Sequence, residues 1–384
     1  MSELLISTLN MVLSILFIGI TMAITPYITR KSIQFGVRLP ETANTHPDIK
    51  KFKKQFLIVN LVLTLIGASF ILGGLWPGLT ETQAKHFVNW GGSVMIMAYL
   101  VISALIYYSI HCKVKVLKQK YFINNPPANQ TRIAVATSFR TGHKPLVISN
   151  LWLLGLGLAI ILVTTIAPVI YYDQIPNQVP VNFSFQGIPV NFTEKSMSVF
   201  MMIPITQILL LPIFIIANQS FKGAKQNLQP KNPNVSMEQS QAYRYAWSKF
   251  TVGGGIGTLI LMAFIQISMM TLVENIRIGF LLIVVGFILY SVKGLYIMIK
   301  YGQGGERYHP KNMETKETPY EGIDDDEFWK IGVFYYNPSD LSIFVEKRFG
   351  TGITFNYARW QAWALIGGLI VITLALVITP LWLI

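Results

Sequence analysis

Eight stretches of the chain are apolar for long enough to cross a bilayer, at residues 4–25, 56–76, 88–108, 146–172, 197–218, 251–272, 278–299 and 361–384. A span needs about 18–20 predominantly apolar residues, and each stretch supplies them. The first seven follow one another through shorter polar segments, whereas residues 300–360 separate the seventh from the eighth. The pattern predicts an all-α polytopic membrane protein with about eight transmembrane helices. Its expected parts are a seven-helix bundle over 1–300, a linker over 301–323, a small β-rich module over 324–358 and a last helix over 361–384.

Composition agrees with this pattern. Hydrophobic residues make up 52% of the 384 residues and charged residues only 13%, about half of the ~25% usual in soluble domains. A water-soluble enzyme is excluded. The formal net charge of +13 invites a nucleic-acid reading, but the positions of the charge decide otherwise. Segments 26–55, 109–145, 219–250 and 300–360 hold every Lys and Arg except Lys85, Lys195, Arg277 and Lys293. Cations gathered in alternate loops set topology, so the charge is topological and no nucleic-acid partner is expected. The basic loops are read as cytoplasmic, which puts both chain termini outside. Glu3 and the lack of an early cation argue against a cleaved signal. Cys112 is the only cysteine, so no intramolecular disulfide is available.

Two segments outside the spans carry a pattern of their own. In the outer loop, 173–196, Val179, Val181, Phe183 and Phe185 alternate with polar or Pro positions, which is the period of a strand with one apolar face. Pro-Val-Asn-Phe occurs at 180–183 and again at 189–192, with Gly187 between as the turn residue. A short hairpin or flap over the bundle mouth is expected. Asn182, Phe183, Phe185, Gly187, Asn191, Phe192 and Lys195 are its candidate ligand-binding residues, the three phenylalanines serving as anchors. In the module, the runs 329–337, 341–348 and 351–357 are rich in β-branched and aromatic residues and are split by Asn337-Pro338 and Gly350. They read as a β-meander too small to stand alone, which would dock on the basic loops. Its acidic run, Asp324–Glu327, is either a solvated face or a partner for those loops, and lacks the spacing of a calcium loop.

Catalytic signatures are missing. The five histidines form no metal-binding pair, and no nucleophile elbow or phosphate loop appears. The glycine-rich Gly302-Gln-Gly-Gly305 is read as a backbone turn. The expectation is a protein that is not an enzyme and uses no cofactor or metal. Asn10, Asn60, Asn150, Gln207 and Gln266 lie within spans. They are read as interhelical hydrogen-bonding groups, with a polar substrate path as the other reading. Lys293 either snorkels to the headgroups or is packed within the bundle.

The outer segment from Ile175 to Pro189, followed by Lys195, resembles the outer-loop signature of the SdpI-type bacterial membrane proteins. The stretch from Asp325 through Trp329, Lys330, Tyr335, Tyr336, Asn337 and Pro338, continuing to Lys347 and Arg348, is similar to a tail module in longer members. Phe35-Gly-Val-Arg-Leu-Pro40 fits the same architecture. The resemblance marks Asp325, Trp329, Tyr336, Asn337, Lys347 and Arg348 as candidate residues of the module. Asn182 stands where the family has a histidine, so no pH-sensing or metal role is carried over. Members with a known role protect a bacterium from a secreted toxic peptide and can hold a cytosolic repressor at the membrane. The resemblance therefore implies a multi-pass protein of the bacterial cytoplasmic membrane. Lipids, a secreted toxic peptide and a cytosolic regulator are its expected partners. A transporter or flippase of a hydrophobic or lipid-linked molecule is the reading from another class.

Overall fold

The computed structural model describes residues 2–124, 145–183, 187–229, 232–270, 276–310 and 324–383. Its helices are α1 (Ser2–Ile28), α2 (Pro47–Leu72), α3 (Glu81–His86), α4 (Gly92–Asn124), α5 (Leu151–Ile170), α6 (Met197–Gly223), α7 (Pro233–Met269), α8 (Ile276–Tyr301) and α9 (Trp360–Leu383). Seven of them are long and apolar enough to cross a membrane, and an apolar run at Trp360–Leu376 in α9 is shorter. The chain is a polytopic α-helical membrane protein. A π-helical segment, Phe87–Gly91, joins α3 to α4.

Several helices outrun their apolar stretches. α7 has 37 residues, about 55 Å at 1.5 Å per residue, against a hydrocarbon core of about 30 Å. The excess lies at its start, where Gln239, Tyr243 and Arg244 are buried against other protein rather than lipid. α2 likewise begins at Pro47, well before the apolar run at 56, because His46 caps it by accepting from the Asp48 N–H at 3.3 Å and Pro47 suits the first helical position. Hydropathy reports where lipid ends, and caps report where the helix ends.

The helices form two groups. α1, α2 and α4 pack together, and α5, α6 and α7 pack together, with α8 on α7 and α9 on α6. Each group closes on small residues. A Cβ on Gly67 of α2 would come within 2.2 Å of Ile15 in α1. One on Gly255 of α7 would meet Phe214 and Leu153 at 2.8 and 2.9 Å. Gly253 and Gly254 seat Tyr290 of α8, whereas Gly257 faces open space. Close approach on small residues is how helices associate without a hydrophobic driving force between them.

Among the described residues, eight short strands form four separate antiparallel pairs. β1 (Ile33–Gln34) pairs with β2 (Val37–Arg38) in the loop after α1, and β3 (Gln178–Phe183) with β4 (Pro189–Glu194) in the loop after α5. In the C-terminal module β5 (Trp329–Lys330) pairs with β6 (Phe334–Tyr335), and β7 (Phe344–Glu346) with β8 (Ile353–Phe355). The expected three-run meander is thus two hairpins, joined by a parallel bridge between Tyr335 and Asn356. The first run splits because Ile331 and Gly332 both take positive φ, 57° and 69°, and turn the chain against Gly36. Of the expected linker, 311–323 lies outside the described residues.

Segments 29–46, 107–118, 221–229, 232–248, 299–308 and 324–359 converge on one face, the basic face. The β3–β4 hairpin lies at the opposite ends of the helices. Cys112, exposed on α4 beside Lys113, tests which face is inward without any mutation. With the basic face in the cytosol, a membrane-impermeant maleimide should leave intact cells unlabelled and react fully after permeabilisation. Equal labelling before and after would invert the topology.

Candidate functional site

Two places bring the sequence candidates together. The first is the joint between module and helix groups on the basic face. Glu346 of β7 is 5% exposed and lies between Arg30, at the end of α1, and Arg244 of α7, at 2.5 and 3.3 Å. Arg30 also donates to the Asn227 carbonyl at 2.5 Å, and Arg244 to the Phe221 carbonyl at 3.1 Å. One carboxylate of the module therefore holds one arginine from each helix group.

Arg348 forms a second cluster. Its side chain is 1% exposed and pairs with Asp325 and Asp326. It donates to the Gly36 carbonyl at 3.1 Å and lies 5.1 Å from the centre of the Trp329 ring. Arg38 pairs with Asp325 at 3.1 Å, and Lys118 with Asp324 and Asp326 at 2.5 and 2.6 Å. The acidic run is thus neutralised by the basic loops. Burial pushes the Asp326 carboxyl up, but Arg348 and Lys118 outweigh it and hold the group below its ordinary value. Asp340 pairs with Lys225 at 2.7 Å. Burial raises its pKa, while Lys225, the Ser342 N–H and the Tyr335 hydroxyl together bring it down to about 2. Glu306 goes the other way, since burial lifts its carboxyl despite Arg30.

The remaining module candidates are structural in position. Asn337 exchanges hydrogen bonds with Asn356, its N–H donating at 3.1 Å and its carbonyl accepting at 2.9 Å. The Lys347 carbonyl accepts from Gln303, while its side chain, like the Tyr336 ring, is exposed. Sequence reading missed the close approach that seats the module. Gly36 and Gly332 meet back to back, a Cβ on Gly36 falling 2.6 Å from the Gly332 Cα. Tyr107 and His111 of α4 bond the Phe35 carbonyl beside them, at 3.2 and 2.8 Å. Gly302-Gln-Gly-Gly305 is a packed joint, where Gly305 at φ 89° would bring a Cβ within 2.1 Å of the Gln239 carbonyl. The signal for both joints was glycine in a loop, which by itself names no partner.

The second place is the β3–β4 hairpin. Val179 is fully buried and packs with Ile175, Val199, Phe200, Met269 and Met270; Val181 and Phe183 are half-buried against them. Phe183 packs at 5.3 Å, ring centre to ring centre and tilted by 37°, on Phe280 of α8, so its ring is engaged within the protein rather than presented as an anchor. Phe192 is exposed, as are Asn182 and Asn191, which face each other in the register. Gly187 takes the predicted positive φ, 72°. Phe185 lies outside the described residues. Lys195 is a staple, its ammonium donating to the Ile175 and Tyr172 carbonyls at 2.9 and 3.3 Å and covering the Tyr172 ring.

Within the spans, Asn60 accepts from Tyr99 and Ser103 at 3.0 and 2.7 Å. Gln207 accepts from Thr164 at 2.7 Å and donates to the Leu259 carbonyl at 3.0 Å. Asn150 accepts from Asn218 at 2.6 Å. Asn10 is exposed and does not face the bundle interior. Lys293 places its ammonium 5.4 Å from the Tyr290 ring centre. Among the described residues no group of three or more His, Cys, Asp or Glu could hold a metal ion.

Two family models match the chain. One, a domain of unknown function (DUF1648), covers residues 159–208, and the other, a family of unknown function (DUF5808), covers residues 338–363. The first stretch spans the hairpin with the Thr164–Gln207 pair, and the second holds Asp340, Glu346 and Arg348. No curated protein and no solved structure matches.

Two measurements follow from this geometry. Glu346→Gln strips the counter-charge from two buried arginines and should cost about 3–5 kcal/mol. Thermal unfolding in detergent should reveal the loss, and proteolysis should release the module. For Asp326 and Asp340 the folded pKa is depressed, so their stabilisation is complete above the unfolded value of about 4 and lost as pH falls further. Protonation of Glu306, raised by burial, relieves a cost as pH falls. Acidification from neutrality to about pH 4 should therefore leave the module docked, with proteolytic release setting in toward pH 2.

Proposed function

We propose that this chain is a non-catalytic receptor of the bacterial cytoplasmic membrane. It would recognise a secreted antimicrobial peptide at the β3–β4 hairpin, protect the cell from it and report its presence to the cytosolic module. The observation that carries this reading is Glu346 shared by Arg30 and Arg244. A single module residue ties the group that bears the hairpin to the group that does not, so a shift between the groups must strain or break one of the two ion pairs. Proteins switch when a ligand favours one of two packings, and a joint of this kind converts helix movement into exposure of module surface. The resemblance of the outer loop and tail to SdpI-type immunity proteins points the same way. The pairing of Asn60, Asn150 and Gln207 with neighbouring protein groups weighs against a polar transport path.

Survival of a sensitive host expressing this chain, challenged with a panel of secreted antimicrobial peptides, tests the proposal. Selective protection against one peptide is expected. Phe192→Ala, which removes an exposed ring and no internal contact of the hairpin core, should lower that protection at least several-fold without changing the thermal midpoint. No protection across the panel at confirmed membrane expression would move the reading to transport.

A further inference from the structure

Gln266 of α7 is fully buried, and neither its side-chain oxygen nor its nitrogen has a hydrogen-bond partner. It lies one turn before Met269 and Met270, the residues on which the β3–β4 hairpin rests. The buried amides deeper in the spans behave differently. Asn60 and Gln207 use both ends of their carboxamides on neighbouring groups. An unpaired amide in a low-dielectric interior is costly, and replacement by an apolar residue would remove the cost.

We propose that Gln266 is the polar floor of a binding site under the hairpin, and that its ligand is an uncharged backbone amide within a hydrophobic peptide segment. The chemistry selects this class. A carboxamide offers one acceptor and two donors, and a peptide group answers it with one donor and one acceptor. A lipid ester or phosphate has acceptors only and would leave Oε1 unpaired. A buried water needs two to four polar partners, and the hydrophobic cluster that includes Met269 and Met270 contributes none. Those walls suit a hydrophobic ligand, since flexible methionines accommodate varied shapes. The hairpin above is a cover that can lift, because a two-stranded ribbon is marginal alone and this one is interrupted by irregular register between Pro180 and Phe183. The inference rests on the receptor reading and gives it a ligand class.

The test compares purified full-length wild type, Gln266→Met and Gln207→Met in the same detergent. Each is measured with and without N-acetyl-leucyl-leucinamide, an uncharged peptide amide. A binding residue kept at the expense of stability predicts that Gln266→Met raises the thermal midpoint, whereas Gln207→Met, which breaks paired hydrogen bonds, lowers it. The probe should protect amides 178–194 of the wild type from hydrogen exchange, and should bind Gln266→Met at least ten-fold more weakly. A destabilised or unfolded Gln266→Met, equal binding to both proteins, or no probe effect on the wild type would each overturn the site. Peptide protection in the survival assay that persists in Gln266→Met cells would refute this site and leave the receptor reading standing. Probe binding that Gln266→Met loses, together with no peptide protection by the wild type itself, would do the reverse.

Discussion

The arrangement of this protein depends on one carboxylate. Glu346 is buried between two arginines that belong to different helix groups. Desolvating three charges is expensive, and their mutual attraction offsets the cost only while all three remain in place. Apolar packing could have joined the same surfaces. Close-packed side chains resist sliding as well, and an ion pair between immobile partners adds a sharp distance dependence to that resistance. The module therefore fixes the relative position of the groups more sharply than it adds to their stability. Around it, Phe349 and Val333 reach into the apolar cluster of Phe35, Phe56 and Tyr107, and the back-to-back glycines Gly36 and Gly332 set how closely the surfaces approach.

Much of the architecture is written in local sequence. Apolar runs reveal spans because lipid penalises every unpaired backbone group. The alternation at Val179, Val181 and Phe183 reveals the hairpin because one face of a strand must be covered. What could not be read is long-range. Nothing near Arg30 announces a partner at Glu346, 316 residues away, and Arg244 looks like any other topological cation until α7 is seen to extend past the membrane. The Phe183 anchor was a reasonable expectation from an apolar strand face, but the face covers the bundle instead of waiting for a ligand. Gln266 and Gln207 look alike in sequence; only their surroundings distinguish a paired amide from an orphan.

The two ends of the molecule solve different physical problems. On the basic face, charges from distant loops meet in buried clusters, two arginines on Glu346 and Arg348 on Asp325 and Asp326. Beneath the hairpin, Lys195 is spent on its own loop, and the covered face rests on an apolar cluster that includes Met269 and Met270. The first end is built for one geometry and the second for tolerance. The proposed receptor role would draw on both, since tolerance at the mouth is useful only if something further down has discrete positions.

The order of the chain along the ribosome gives Glu346 another meaning. Arg30 and Arg244 are synthesised, and seven helices inserted, before residue 346 exists. Throughout that interval both arginines lack the carboxylate that neutralises them, and the two helix groups have no shared tie through it. Closure arrives with the module, shortly before α9 is made. A chain that stops short of β7 therefore lacks the carboxylate shared by Arg30 and Arg244, and only the finished one joins the two groups through it.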